Sequence, residues 1–355
     1  METTTLGYRK ALDGLRGLSI VLVYLFHVQA RPLPGGFLGV DLFFVLSGFL
    51  ITTLLLEEWS ARGRISLGAF YARRALRLLP ALALLLFTLL IVSAAVEPPG
   101  RTAAMLRASL ITFFYSSNWF LAAHRFPRPE LAHTWSLSIE EQFYLVWPVL
   151  LLMMLRSGMS RRAIASIVIG AILAVAVLRA WLWSNAGSFE RVYSGTDTHS
   201  DGLLCGALAA MAATWGAGPA KPARILGLTF LGCLGFLIFL TWVGDPWLYR
   251  AGYLPLNLGA ACLVYSLATI PWEPLRRCFE FAPLAALGRI SYGVYLWHLP
   301  AYWLASLLPS ARGGQGPWIW PLAITLGAAA LSFFAVERPL LRLKRRFEKT
   351  GAGPR

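Results

Sequence analysis

The sequence predicts an all-α integral membrane protein, a bundle of about ten transmembrane helices with both termini in the cytoplasm. Three observations carry this prediction. Hydrophobic residues fill 57% of the 355 positions and charged residues 14%, against roughly 45–50% and about 25% in ordinary soluble domains. Apolar stretches such as "ALALLLFTLLIVSAAV" and "LGLTFLGCLGFLIFLTWV" recur along the whole length. Runs of about 20 apolar residues cross roughly 30 Å of hydrocarbon as helices. The 32 Lys and Arg residues sit in short clusters between those runs, the arrangement that sets membrane orientation.

Hydropathy places ten spans, at 12–30, 37–56, 79–96, 137–155, 163–183, 201–216, 224–243, 251–270, 287–307 and 318–338. An eleventh candidate, 103–121, is interrupted by Arg107, Ser109, Ser116, Ser117 and Asn118. Positive charge arbitrates, because one extra span reverses the side of everything after it. With ten spans and a cytoplasmic N-terminus, more than two thirds of the 32 basic residues fall inside; counting 103–121 as a span puts the majority outside. The stretch is therefore expected to lie on the outer side as an interfacial or re-entrant segment. Residues 1–340 form one membrane domain, and 341–355, with "RLKRRFEK", a short basic cytoplasmic tail suited to lipid headgroups.

The formal charge of +15 is explained by topology and gives no reason to expect a nucleic-acid partner. Cys205, Cys233, Cys262 and Cys278 form no C-x-x-C pair, so neither a disulfide framework nor a zinc site is indicated. The first apolar run lacks an A-x-A-like cleavage site and reads as a retained helix.

Against this background a few polar residues stand where hydrocarbon makes them costly. In "LRGLSIVLVYLFHVQ" the only ionisable groups are Arg16 and His27. Eleven steps of about 100° end about 20° past three turns, so the two side chains share one helix face, roughly 16 Å apart along the axis. Arg16 alone reads equally well as a snorkelling anchor. His27 reads in its bland form as an imidazole bonded to a neighbouring helix. An ionisable group at that depth points first to function, and an imidazole offers a general base, a transient nucleophile or a proton relay.

Asp41 lies near the outer end of the second span, with Ser47 and Gly48 midway; Gly48 reads as a close-packing glycine. In "FYARRALRLLP", expected as the loop before the third span, Arg74 and Arg77 share a helix face beside Arg73. Guanidiniums so placed suit phosphates, although each also fits the positive-inside pattern. "TWSLSIEEQFYLVWP" sets Glu140 and Glu141 at the start of the fourth span, followed by Tyr144. A capping box with Ser136 or Ser138 would account for one carboxylate and not for both. "YSGTDTHSDGL" brings Asp197, His199 and Asp201 together before the sixth span, a weak metal pattern lacking a fourth ligand. His298 sits mid-depth in the ninth span, where lining a cavity and packing in the core are equally open, and Glu337 and Arg338 close the tenth.

Taken in order, "LDGLRGLSIVLVYLFH", "GGFLGVDLFFVLSGFLIT", "FYARRALRLLP", "WSLSIEEQFYLVWP", "YSGTDTHSDGLLCGALAA", "LGRISYGVYLWHLP" and "VERP" resemble acyltransferase family 3, the polytopic membrane O-acyltransferases. The resemblance covers nearly the whole chain. It implies a multi-pass bacterial inner-membrane enzyme that moves an acyl group, most commonly acetyl, from cytoplasmic acyl-coenzyme A to a hydroxyl of a sugar, polysaccharide or glycosylated small molecule, with no metal. It further implies His27 as the catalytic histidine with Arg16 as its partner, Arg74 and Arg77 with Arg73 as the holders of coenzyme A phosphates, and Glu140 or Glu141 as the acidic group. Asp41 is a third acidic candidate. Tyr144, Asp197, Asp201 and His298 are candidates for the cavity wall. The residues leave open whether His27 acts as base or acyl carrier.

Two departures stand out. Relatives often carry arginine where this chain has His199, and many have a C-terminal esterase-like domain, so this chain is expected to act as a stand-alone membrane domain. The principal competing reading is a proton-coupled transporter or a lipid or sugar flippase, which also places histidines, acids and arginines in membrane helices.

Overall fold

The computed structural model describes residues 6–28, 33–185, 187–216, 218, 220–270, 272–308 and 319–340. The expected basic tail, 341–355, lies outside them. No strand occurs among the described residues. Sixteen α-helices follow in order: α1 Lys10–His27, α2 Leu38–Arg62, α3 Leu67–Val96, α4 Pro99–Phe113, α5 Ser117–Ala122, α6 Thr134–Arg156, α7 Arg161–Asn185, α8 Phe189–Ser194, α9 Thr196–His199, α10 Asp201–Trp215, α11 Ala220–Leu240, α12 Tyr253–Thr269, α13 Glu273–Phe279, α14 Ala282–Arg289, α15 Ser291–Ser306 and α16 Ile319–Leu331. A π-turn, Leu248–Gly252, leads into α12, and another, Ser332–Glu337, continues α16.

Every predicted span falls on a helix. Seven described helices are long and apolar enough to cross a membrane by length and composition alone, and the chain is an all-α polytopic membrane protein. The other three predicted spans are α1, which carries Lys10, Asp13 and Arg16 in 18 residues, and α10 and α15, with 15 and 16 residues. The ambiguous stretch 103–121 is two pieces, α4 and α5, broken around Tyr115, whose φ of 50° is left-handed. One expectation is corrected. The segment holding Arg73, Arg74 and Arg77 is no loop, because α3 starts at Leu67 and runs through Pro80 to Val96. Its Ala, Leu and Arg content favours helix strongly enough to carry it past the proline.

The chain divides into two compact units. The first comprises residues 1–65, 121–124 and 139–289. In it α2 and α10 cross backbone to backbone. A methyl group added to Gly48 would overlap the carbonyl oxygen of Leu203, and one added to Gly206 would overlap that of Val45. Small residues at such a crossing let helices approach where lipid offers no hydrophobic drive, and the expected packing role of Gly48 is met. Trp147 Nε1 of α6 donates to Thr52 Oγ1 of α2 at 2.8 Å.

The second unit comprises residues 66–120, 125–138 and 290–355, so the first turn of α6 belongs to it and the rest of α6 to the first unit. The α3 end is tied by a buried guanidinium: Arg128 forks onto both oxygens of Glu97 at 3.0–3.2 Å, holds Glu130 at 3.0 Å and lies over the Trp303 ring. Burial pushes the Glu97 carboxyl upward. The hydrogen bonds from Arg128 and Ser93, with the charges of Arg128 and Arg101, outweigh burial and hold it below the ordinary carboxylate value. A depressed folded value adds stability that is present above the unfolded value and is lost as pH falls through the folded one. The thermal midpoint of the purified protein should therefore drop in acid, and Glu97→Gln should flatten that part of the profile.

Candidate functional site

His27 is the last residue of α1, half-buried, with Phe26 edge-on to its ring at 4.8 Å between centroids. Its Nδ1 lies 2.9 Å from the carbonyl oxygen of Val23, one turn back. A carbonyl only accepts, so Nδ1 carries the hydrogen of the neutral ring and Nε2 the lone pair. Arg16 is half-buried on the same helix, and its Nε is shielded from solvent without a hydrogen-bond partner. The face inferred from helical spacing thus carries a cation and a basic nitrogen.

In the same unit, Glu140 of α6 receives the Ser47 hydroxyl of α2 on Oε1 at 2.5 Å and the Tyr144 hydroxyl, one turn ahead, on the same oxygen. Two hydroxyls converging on one oxygen fix the carboxylate's orientation. Glu141 is half-buried beside it, and the neighbouring Gln142 accepts from Thr196 at 2.5 Å. The capping account of these acids does not hold. The helix begins at Thr134, so Ser136 and Ser138 lie inside it, and Ser138 bonds Ser117 at 2.7 Å.

The D-T-H-S-D loop separates its three residues among three partners. Asp197 forms a two-point pair with Arg191 at 2.6 and 2.9 Å; His199 Nε2 meets Asp41 Oδ1 at 2.9 Å; Asp201, fully buried, pairs with buried Arg179 at 2.8 Å. The described residues hold no group of three metal-ligating side chains. Asp41 is thus committed to His199. Arg179 and Asn257 belong to none of the sequence motifs. Each is a lone polar group in an apolar run, the same signal that marks His27. Asn257 is fully buried with neither amide atom bonded, and with Asp41 it lines a space of about 10 Å³, the size of one water.

The second unit carries the remaining candidates. Arg73, Arg74 and Arg77 lie, half-buried, on the early turns of α3, and the charge of Arg77 acts on buried Glu337. His298 is fully buried. Its Nδ1 donates to the Tyr295 carbonyl at 2.6 Å, and its ring is 4.8 Å from that of buried His133. His133 was not among the expected residues. Its Nε2 meets the Leu296 carbonyl at 3.1 Å, while Tyr295 donates to the His133 carbonyl at 2.9 Å.

The first unit thus holds an imidazole bonded to its own helix and a carboxylate held by two hydroxyls, and the second a run of guanidiniums on α3. The chain belongs to the acyltransferase domain family, whose model matches residues 9–337. It is 36% identical to peptidoglycan O-acetyltransferase OatA of Listeria monocytogenes, over 96% of this chain and 57% of the relative. It is 31% identical to O-acetyltransferase OatA of Staphylococcus aureus, over 94% of this chain and 57% of the relative. The chain therefore spans little more than half the length of these curated relatives. No solved structure matches it.

Proposed function

We propose that the chain is a multi-pass O-acetyltransferase of the bacterial inner membrane, taking acetyl from cytoplasmic acetyl-coenzyme A and passing it to a hydroxyl of a carbohydrate acceptor, with peptidoglycan first among candidates. The observation that carries this reading is His27, set in a membrane helix on the face of Arg16, with Nδ1 held by Val23 so that Nε2 is the reacting nitrogen. Family membership and the names of two relatives support the acetyl group and the acceptor class.

In the proposed reaction, Arg73, Arg74 and Arg77 hold the phosphates of coenzyme A through guanidinium forks. Arg16 faces the donor's thin arm. The acceptor oxygen attacks the thioester carbonyl as Nε2 of His27 takes its proton; the carbon–sulfur bond breaks, and the departing thiolate takes the proton back. Alternatively, Nε2 carries the acetyl group between donor and acceptor. Both routes use the same nitrogen. Glu140, oriented by Ser47 and Tyr144, supplies the negative charge that favours an imidazolium, with Glu141 beside it.

The test is purified protein in lipid nanodiscs with radiolabelled acetyl-coenzyme A and muropeptide or polysaccharide acceptors. Label should appear in alkali-labile ester on the acceptor. Label that remains entirely in intact acetyl-coenzyme A would overturn the reading, and acceptor movement across vesicles without acylation would establish a transporter. With Arg74→Gln and Arg77→Gln combined, the KM for acetyl-coenzyme A should rise about ten-fold to a hundred-fold with kcat changed little, since phosphate contacts act on ground and transition states alike.

A further inference from the structure

The first unit buries a second set of charges that the proposed chemistry does not use. His199 of α9 is fully buried, with Nδ1 2.7 Å from the Tyr193 carbonyl and Nε2 2.9 Å from Asp41 Oδ1. The carbonyl only accepts, which obliges Nδ1 to donate. Nε2 then faces a carboxylate oxygen, and two lone pairs at that distance repel. One proton must therefore lie between them, on the ring or on Asp41.

Several other groups face this pair from the packed elements. From α7, Arg179 Nη1 donates to Asp201 Oδ1 of α10 at 2.8 Å and to the Thr198 carbonyl at 3.0 Å. From α12, the Tyr253 ring lies 4.9 Å from both the imidazole and the guanidinium, and Asn257 lines the space beside Asp41. Tyr249, in the π-turn before α12, stands 5.4 Å from Tyr253; Tyr193 of α8 and Phe44 of α2 complete the rings around His199. With the shared proton, two carboxylates oppose two cations and the cluster is neutral. Without it, a net negative charge remains buried, which is expensive in a membrane protein.

Asp41 stands in the first turn of α2, and Ser47 on the same helix holds Glu140. We propose that the Asp41–His199 pair is a proton-held latch on α2, and that His199 is a positioning residue which keeps Glu140 in place only while the pair retains its proton. This rests on the role given to Glu140 above. Losing the proton leaves the outer end of α2 repelled from α9, and the error passes along the helix to the Ser47 hydroxyl.

Two readouts on the full chain test the latch. For wild type, His199→Arg and His199→Gln, thermal midpoints and acetyl transfer are measured from about pH 5 to about pH 8, the range over which imidazoles in general change charge. The wild-type midpoint and kcat should fall as pH rises. His199→Arg, a permanent cation, should keep both high and remove the fall. His199→Gln should lose roughly 10²-fold in kcat at every pH, with KM for acetyl-coenzyme A within about two-fold.

Wild type and His199→Arg sharing one pH profile would overturn the latch, as would His199→Gln with full kcat. A midpoint that responds while kcat does not would show that the pair does not position Glu140, and would also overturn it. If one variant fails to fold, the other still decides against wild type. If no form transfers acetyl, the proposed function fails, while the midpoint comparison still decides whether the pair holds α2 by its proton.

Discussion

Replacing His27 by alanine should lower acetyl transfer by about 10³-fold while leaving the protein folded. The size follows from removing the nitrogen that takes the acceptor's proton or carries the acetyl group, a contribution of roughly 10²–10⁴-fold for a positioned base. Retention of fold follows from the site: the ring is half-buried at the end of α1, and its Nδ1 bond is to a carbonyl of its own helix. The thermal midpoint should stay within about 2 °C of wild type. Added imidazole should restore part of the rate if His27 is a base. Wild type denatured rapidly at neutral pH should hold labelled acetyl on protein, released by hydroxylamine, if it is an acyl carrier. Normal turnover in His27→Ala would remove the mechanism altogether.

Arg179→Met should be the most destabilising single change in the first unit. It strips the partner from Asp201, which is fully buried and bonded to Arg179 at 2.8 Å, and a lone buried carboxylate costs about 3–5 kcal/mol. The double change Arg179→Met with Asp201→Leu should recover most of that loss, because replacing both members of a buried pair by apolar groups is often close to neutral. Thermal midpoints of the three proteins read the coupling directly. Equal midpoints for wild type and Arg179→Met would mean that the pair adds nothing to stability.

The helices under the expected spans were legible because hydropathy sums over about 20 residues and tolerates local exceptions. That Arg16 and His27 share one helix was legible because helical spacing is a local property. Asp41 was legible as costly in a membrane, yet its partner His199 lies 158 positions away, and spacing along one helix says nothing about such a pairing. The loop residues Asp197, His199 and Asp201 look like one cluster in sequence. Each turns to a different element, because a chain entering a helix sweeps its side chains around the axis. Arg179 is masked in "LAVAVLRAWLW" by its apolar neighbours, and the arginines before Pro80 suggest a loop where the helix propensity of the segment decides otherwise.

The two close approaches of α2 and α10, Gly48 against Leu203 and Gly206 against Val45, have a consequence for how this helix pair tolerates change. Backbone meets backbone there, so no side chain remains to be enlarged or trimmed, and the spacing of α2 from α10 is set by the radii of the peptide atoms themselves. A larger residue at 48 or 206 would therefore disturb assembly of the helix pair itself.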